Sequence, residues 1–157
     1  MLRLLKLAHL VSLVAFLGSI LTFILISTLA EGSSLENLVF ARRIVSTGTN
    51  VLTLPGMWLL ALTGIWMGFK RYGFTRRFIH LKLFVIALVV VIAHFFVAPA
   101  VHSATEAANL SLAQGHLLPE YNTAYLRESI FGAINVLLTL IAAVIGTWRI
   151  GAQPANG

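Results

Sequence analysis

The sequence predicts an all-α fold, a transmembrane four-helix bundle that is N-in/C-in, with both termini in the cytoplasm. Three observations predict it. The 157 residues are 59% hydrophobic and only 10% charged, where a soluble domain carries about 25% charged residues. Four apolar runs, residues 4–29, 44–69, 78–101 and 127–148, each reach the ~20 residues that a helix needs to cross a bilayer. The basic residues flank these runs unevenly, as orientation signals do. The length suits a single integral membrane domain spanning 1–157.

The first run follows Arg3 and Lys6, and Thr28-Leu29-Ala30 has the look of a cleavage site. A signal peptide's apolar region is only about 7–15 residues, so this longer run reads as a retained helix. The second run leads into Lys70, Arg71, Arg76 and Arg77, which fill the short link to the third. The segment 102–126 is the longest connection and reads as an ordinary connector in preference to a lid over the outer end of the bundle; Ser103 to Gln114 has the length for a short helix lying on the membrane. Pro119 fits a first helical turn, which starts the fourth helix near Glu120. Arg149 follows the last run.

Arg3, Lys6, the 70–77 link and Arg149 share one side if the chain crosses four times. Arg42, Arg43, Arg127 and every acidic residue (Glu31, Glu36, Glu106, Glu120, Glu128) take the other. The positive-inside rule makes the first side cytoplasmic, as in a multi-pass membrane protein. A net charge of +6 distributed this way points to lipid headgroups and not to nucleic acid. Without cysteine there is no disulfide, thiolate metal site or covalent haem. No hydrolase triad, phosphate loop or HExxH pattern occurs.

Helical spacing then selects the inward faces, because polar groups avoid lipid. They are His9, Ser12, Ser19 and Ser27 on the first span; Arg43, Ser46, Asn50, Thr53, Met57, Ala61, Gly64 and Gly68 on the second; His80, Phe84, Ala87, Val91, His94 and Ala98 on the third; Tyr121, Glu128, Gly132, Asn135, Thr139, Ala142 and Gly146 on the fourth. Close packing of small residues accounts for many of these positions. It leaves out the histidines, Arg43 and Glu128. Arg43 and Glu128, near the outer surface, are expected to pair, in a polar network with Asn50 and Asn135.

His9 and His80 fall at similar depth in the inner leaflet, where Gly64 and Gly146 would leave a flat slot for a porphyrin. His94 follows His80 by fourteen residues, about four turns or roughly 21 Å further out. Histidines so spaced serve as haem iron ligands in dihaem b-type cytochromes; here His94 lacks a clear partner, and Met57 is a candidate axial thioether. The same residues also suit hydrogen bonding, a proton relay, or a copper-type metal site.

The motifs Leu4-Leu5-Lys6-Leu7-Ala8-His9, Arg42-Arg43, Thr53-Leu54-Pro55-Gly56-Met57, Thr63-Gly64-Ile65-Trp66 and Leu118-Pro119-Glu120-Tyr121 resemble an uncharacterised family of small bacterial four-helix membrane proteins. More distantly, His9, Pro55-Gly56-Met57 and His80-Leu81-Lys82-Leu83 are similar to HemJ-type protoporphyrinogen oxidases and to the copper-resistance D membrane domain. The resemblance implies a haem b oxidoreductase or electron carrier, with His9 and His80 as axial ligands, Lys82 beside the propionates, and a quinone or porphyrin as partner. Phe16, Gly18 and Thr22 stand where the oxidases carry aromatic and basic residues. Two other classes fit the composition: a metal- or small-solute-handling membrane protein without haem, and an accessory subunit. Four helices barely enclose a porphyrin, which makes a homo-dimer an expectation to test.

Overall fold

The structure, a computed structural model, describes residues 2–72 and 77–148. They form helices joined by short turns at 31–34 and 115–118, with no strand among the described residues: α1 (Leu2–Ala30), α2 (Leu35–Gly48), α3 (Leu54–Tyr72), α4 (Arg77–Ile92), α5 (Ala98–Gln114) and α6 (Pro119–Trp148). Short π-helical segments, Thr49–Thr53 and Ala93–Val97, join α2 to α3 and α4 to α5 without a break. Four continuous helices result, each long and apolar enough to cross a membrane. The chain is therefore a four-helix membrane protein. Arg76 and Arg149, two of the orientation signals, lie outside the described residues.

Both π segments have the same cause. Pro55 has no N–H for the Val51 carbonyl, and Pro99 has none for that of Phe95; each ring also crowds that carbonyl. The preceding turn opens to the wider i→i+5 pattern. The N–H of Leu54 accordingly bonds the Thr49 carbonyl, and that of Ala98 bonds Ala93. Each wide turn inserts a residue and shifts the face on its N-terminal side by one position.

That shift corrects two of the expected stripes. On the second span the stripe holds at Thr53, Met57, Ala61 and Gly64, but before the π segment the buried residues are Arg42, Val45 and Thr49, not Arg43, Ser46 and Asn50. On the third span Ala98 is buried as expected, whereas His80, Phe84, Ala87, Val91 and His94 are exposed on the lipid side. Their neighbours Ile79 and Ala93 are buried, and Leu83, Ile86 and Val90 are partly so. The first and fourth spans have no internal proline, and their buried Ser12, Ser19, Ser27, Tyr121, Asn135, Thr139 and Ala142 match the expectation.

The long connection is also corrected. Pro99 widens the third helix without ending it, so the helix continues to Gln114 and stops at Gly115, whose φ of 74° is the left-handed conformation open to glycine. Ser111 Oγ then accepts from the Leu118 N–H at 3.0 Å, and α6 starts at Pro119. The second and third helices are each 36 residues long, about 54 Å, against a hydrocarbon core of roughly 30 Å. At the end of the bundle away from the termini they pack with α6 on an alanine-rich core: Ala30, Ala41, Ala104, Ala107, Ala108 and Ala124, with Leu38, Val39 and Tyr121. Small side chains let these helices approach closely. Around the bundle, α1 packs on α2 and α3, while α6 packs on α4 and α5. Spans one and four are not closely packed on each other.

Candidate functional site

All four spans converge on Arg42, which is completely buried. Its guanidinium grips the Glu128 carboxylate with both prongs, Nη1 donating to Oε1 at 3.2 Å and Nη2 to Oε2. Longer contacts of 3.5 Å run to Ser27 Oγ on α1 and to the Val101 carbonyl on α5. The Tyr125 ring lies 5.8 Å from the guanidinium carbon. A charge so far from water requires this set of partners. The expected pairing of Glu128 with Arg43 is thus replaced by Arg42, one residue earlier, because of the π turn. Arg43 instead lies on the surface and donates to Asn109 Oδ1 at 3.2 Å.

Below this ion pair lies a chamber of about 240 Å³. Its walls are mainly apolar, with Ser27, Thr49, Thr53, Glu128 and Asn135 among them. Both π segments contribute, through Thr49 and Thr53 on one side and Ala93 and Val97 on the other. Wide turns of this kind recur at functional sites. Ile24 of α1 and Ser129 and Ala133 of α6 line the chamber yet are exposed, so it opens sideways into the lipid through the cleft between spans one and four. Ser19 donates to the Phe16 carbonyl at 2.8 Å, so the hydroxyl of Thr53, 2.8 Å away, donates to Ser19. Asn135, only 3% exposed, has a buried Oδ1 without a hydrogen-bond partner among the described residues. Such an orphan costs about 1–3 kcal/mol, and it stands on the chamber wall. Asn50 is exposed and takes no part.

Nearer the chain termini a second cavity, about 80 Å³, is lined by His9, Met57, Lys82 and Thr139 among apolar residues. Thr63 fixes the histidine: its hydroxyl donates to the Leu59 carbonyl at 2.6 Å, so His9 Nδ1, 2.9 Å from that hydroxyl, carries the proton. The two glycines make room for these side chains. A Cβ on Gly64 would stand 3.1 Å from His9 Cε1, and one on Gly146 would stand 2.7 Å from Lys82 Nζ.

This arrangement does not fit a haem within one chain. His80 faces outward, one π-shifted position from the interior. The concavities at Gly64 and Gly146 are filled by His9 and Lys82. The remaining space is far below the roughly 300–1,000 Å³ of small-molecule sites. His94 is also exposed, edge-on to Phe95 at 5.5 Å. A metal cation is opposed by the Lys82 ammonium in the same cavity, and no group of three metal-ligating side chains occurs among the described residues.

Sequence reasoning brought His9, Lys82, Gly64, Gly146, Glu128 and Asn135 into or beside cavities. It missed Arg42 and Thr49, and the available signal was the proline that follows each of them along the helix. No family model matches the chain, and neither does any curated protein or solved structure.

Proposed function

We propose that this chain is a bacterial inner-membrane protein, with both termini in the cytoplasm, that binds a lipid-soluble ring compound of the quinol–quinone class in its outer-leaflet chamber and holds no haem of its own. The observation that carries this reading is Asn135: a buried amide with an unpartnered end on the wall of an otherwise apolar chamber that opens to lipid. Ligand sites have this character, apolar walls with a few convergent polar groups. The amide suits both redox forms. Its oxygen accepts from a quinol hydroxyl, and turned over, its NH₂ donates to a quinone carbonyl. The chamber's volume suits a ring, and the cleft between spans one and four leaves a path for an isoprenoid tail.

The test is calorimetric titration of the detergent-solubilised protein with a short-chain benzoquinol. Saturable one-to-one binding, weakened about tenfold by Asn135→Leu through the lost hydrogen bond, supports the reading. No binding by the natural chain, or equal binding by the variant, overturns it.

A further inference from the structure

A third recess lies elsewhere, between α5 and α6 at the end of the bundle away from the termini. It encloses about 690 Å³, within the range of small-molecule sites. Its character changes along its length. The membrane end is aromatic: Phe95, Phe96 and Phe131 line it, with the rings of Phe96 and Phe131 4.7 Å apart. The far end carries Arg127 and Glu120. Seven residues separate these two on α6, about two turns, so they share a face roughly 10 Å apart along the axis. Arg127 lies one turn above Phe131, where apolar sequence gives way to polar. Neither charge is part of the one ion pair among the described residues, Arg42–Glu128. A groove with an apolar floor at acyl-chain depth and separated opposite charges at headgroup depth has the polarity of a zwitterionic lipid.

We propose that this groove holds one aminophospholipid molecule. Its phosphate meets Arg127 in a charge-assisted, two-pronged contact. Its ammonium meets Glu120, and one acyl chain lies over Phe95, Phe96 and Phe131. Glu120 supplies the selectivity: a headgroup with an anionic phosphate and no amine would set nothing positive against that carboxylate.

The measurement is native mass spectrometry of the full chain, delipidated in mild detergent and titrated with phosphatidylethanolamine or phosphatidylglycerol. The natural chain is expected to retain one phosphatidylethanolamine and to favour it over phosphatidylglycerol about tenfold, the worth of one charge-assisted contact. Arg127→Gln loses retention of both lipids. Glu120→Gln still binds but loses the preference. Both residues are exposed, so these variants keep the fold. The proposal is overturned if the natural chain retains no more lipid than Arg127→Gln or shows no preference. It is also overturned if Arg43→Gln, a surface arginine outside the groove, causes the same loss.

Discussion

Arg42 and Glu128 face each other across the second and fourth spans as a buried, two-pronged ion pair, with longer contacts to Ser27 and the Val101 carbonyl, while Arg42 Nε has no hydrogen-bond partner among the described residues. The two charges balance each other. Removing either partner leaves the other charged and stranded, so Arg42→Met or Glu128→Leu alone is expected to destabilise the chain by about 3 kcal/mol, while the double variant lies close to the natural protein. Reversible unfolding in mixed micelles measures all three. Additive losses in the double variant would show that the two groups act independently.

Asn135 is expected to separate stability from binding. Replacing it with leucine removes an unpartnered buried acceptor, so the variant gains about 1 kcal/mol or stays neutral while losing affinity for the quinol probe. A clear loss of stability would mean that the amide makes a structural bond.

Gly48 is packed against Phe23: a Cβ there would fall 2.2 Å from the ring's Cζ. Gly48→Ala makes the ring swing aside, an overpacking cost of about 1–3 kcal/mol at most, set against the ~1 kcal/mol by which alanine surpasses glycine within a helix. With Phe23→Leu in place the overpacking should largely vanish and Gly48→Ala should stabilise. Equal effects of Gly48→Ala with and without Phe23→Leu would refute the close approach of α1 and α2.

The register of the third span can be read chemically, since the chain has no cysteine of its own. Single cysteines placed by His80→Cys and His94→Cys should react readily with a membrane-soluble thiol reagent, and those placed by Ile79→Cys and Ala93→Cys slowly. Adding Pro99→Ala lets the wide turn close, and the pattern at 93 and 94 is then expected to invert. Fast labelling at 79 and 93 in the parent sequence would contradict the π-shifted face.

Protein purified from haem-replete cells is expected to lack a stoichiometric Soret band. A band that disappears with both His9→Ala and His80→Ala would overturn the quinol-site reading's claim that the chain holds no haem.

The contrast between spans marks what the sequence made legible. On the first and fourth helices a constant 3.6-residue period carries from end to end, so Ser19, Ser27, Glu128 and Asn135 were found by spacing alone. On the second and third helices the same period is right only on the C-terminal side of the wide turn. Across it, every position slips by one, which exchanges Arg43 for Arg42 and turns His80 and His94 to the lipid. Polarity reinforced the error, because a histidine is a more natural interior residue of a membrane protein than Ile79 or Ala93. The continuation of the third helix to Gln114 was hidden because the apolar run ends at Val101. That continuation needs the packing of α5 on α2 and α6, which no local pattern contains.

The two wide turns stand on opposite walls of the same chamber, so the winding of each sets which side chains its half-helix turns inward. Each holds one residue more than an α-helical turn requires. Releasing that residue would rotate the attached half-helix by about 100° and move it by about 1.5 Å. For the second span, this motion would swing Arg42 away from Glu128 and bring Arg43 toward it. Glu128 thus faces whichever arginine the winding of that turn selects, and the wide turn selects Arg42.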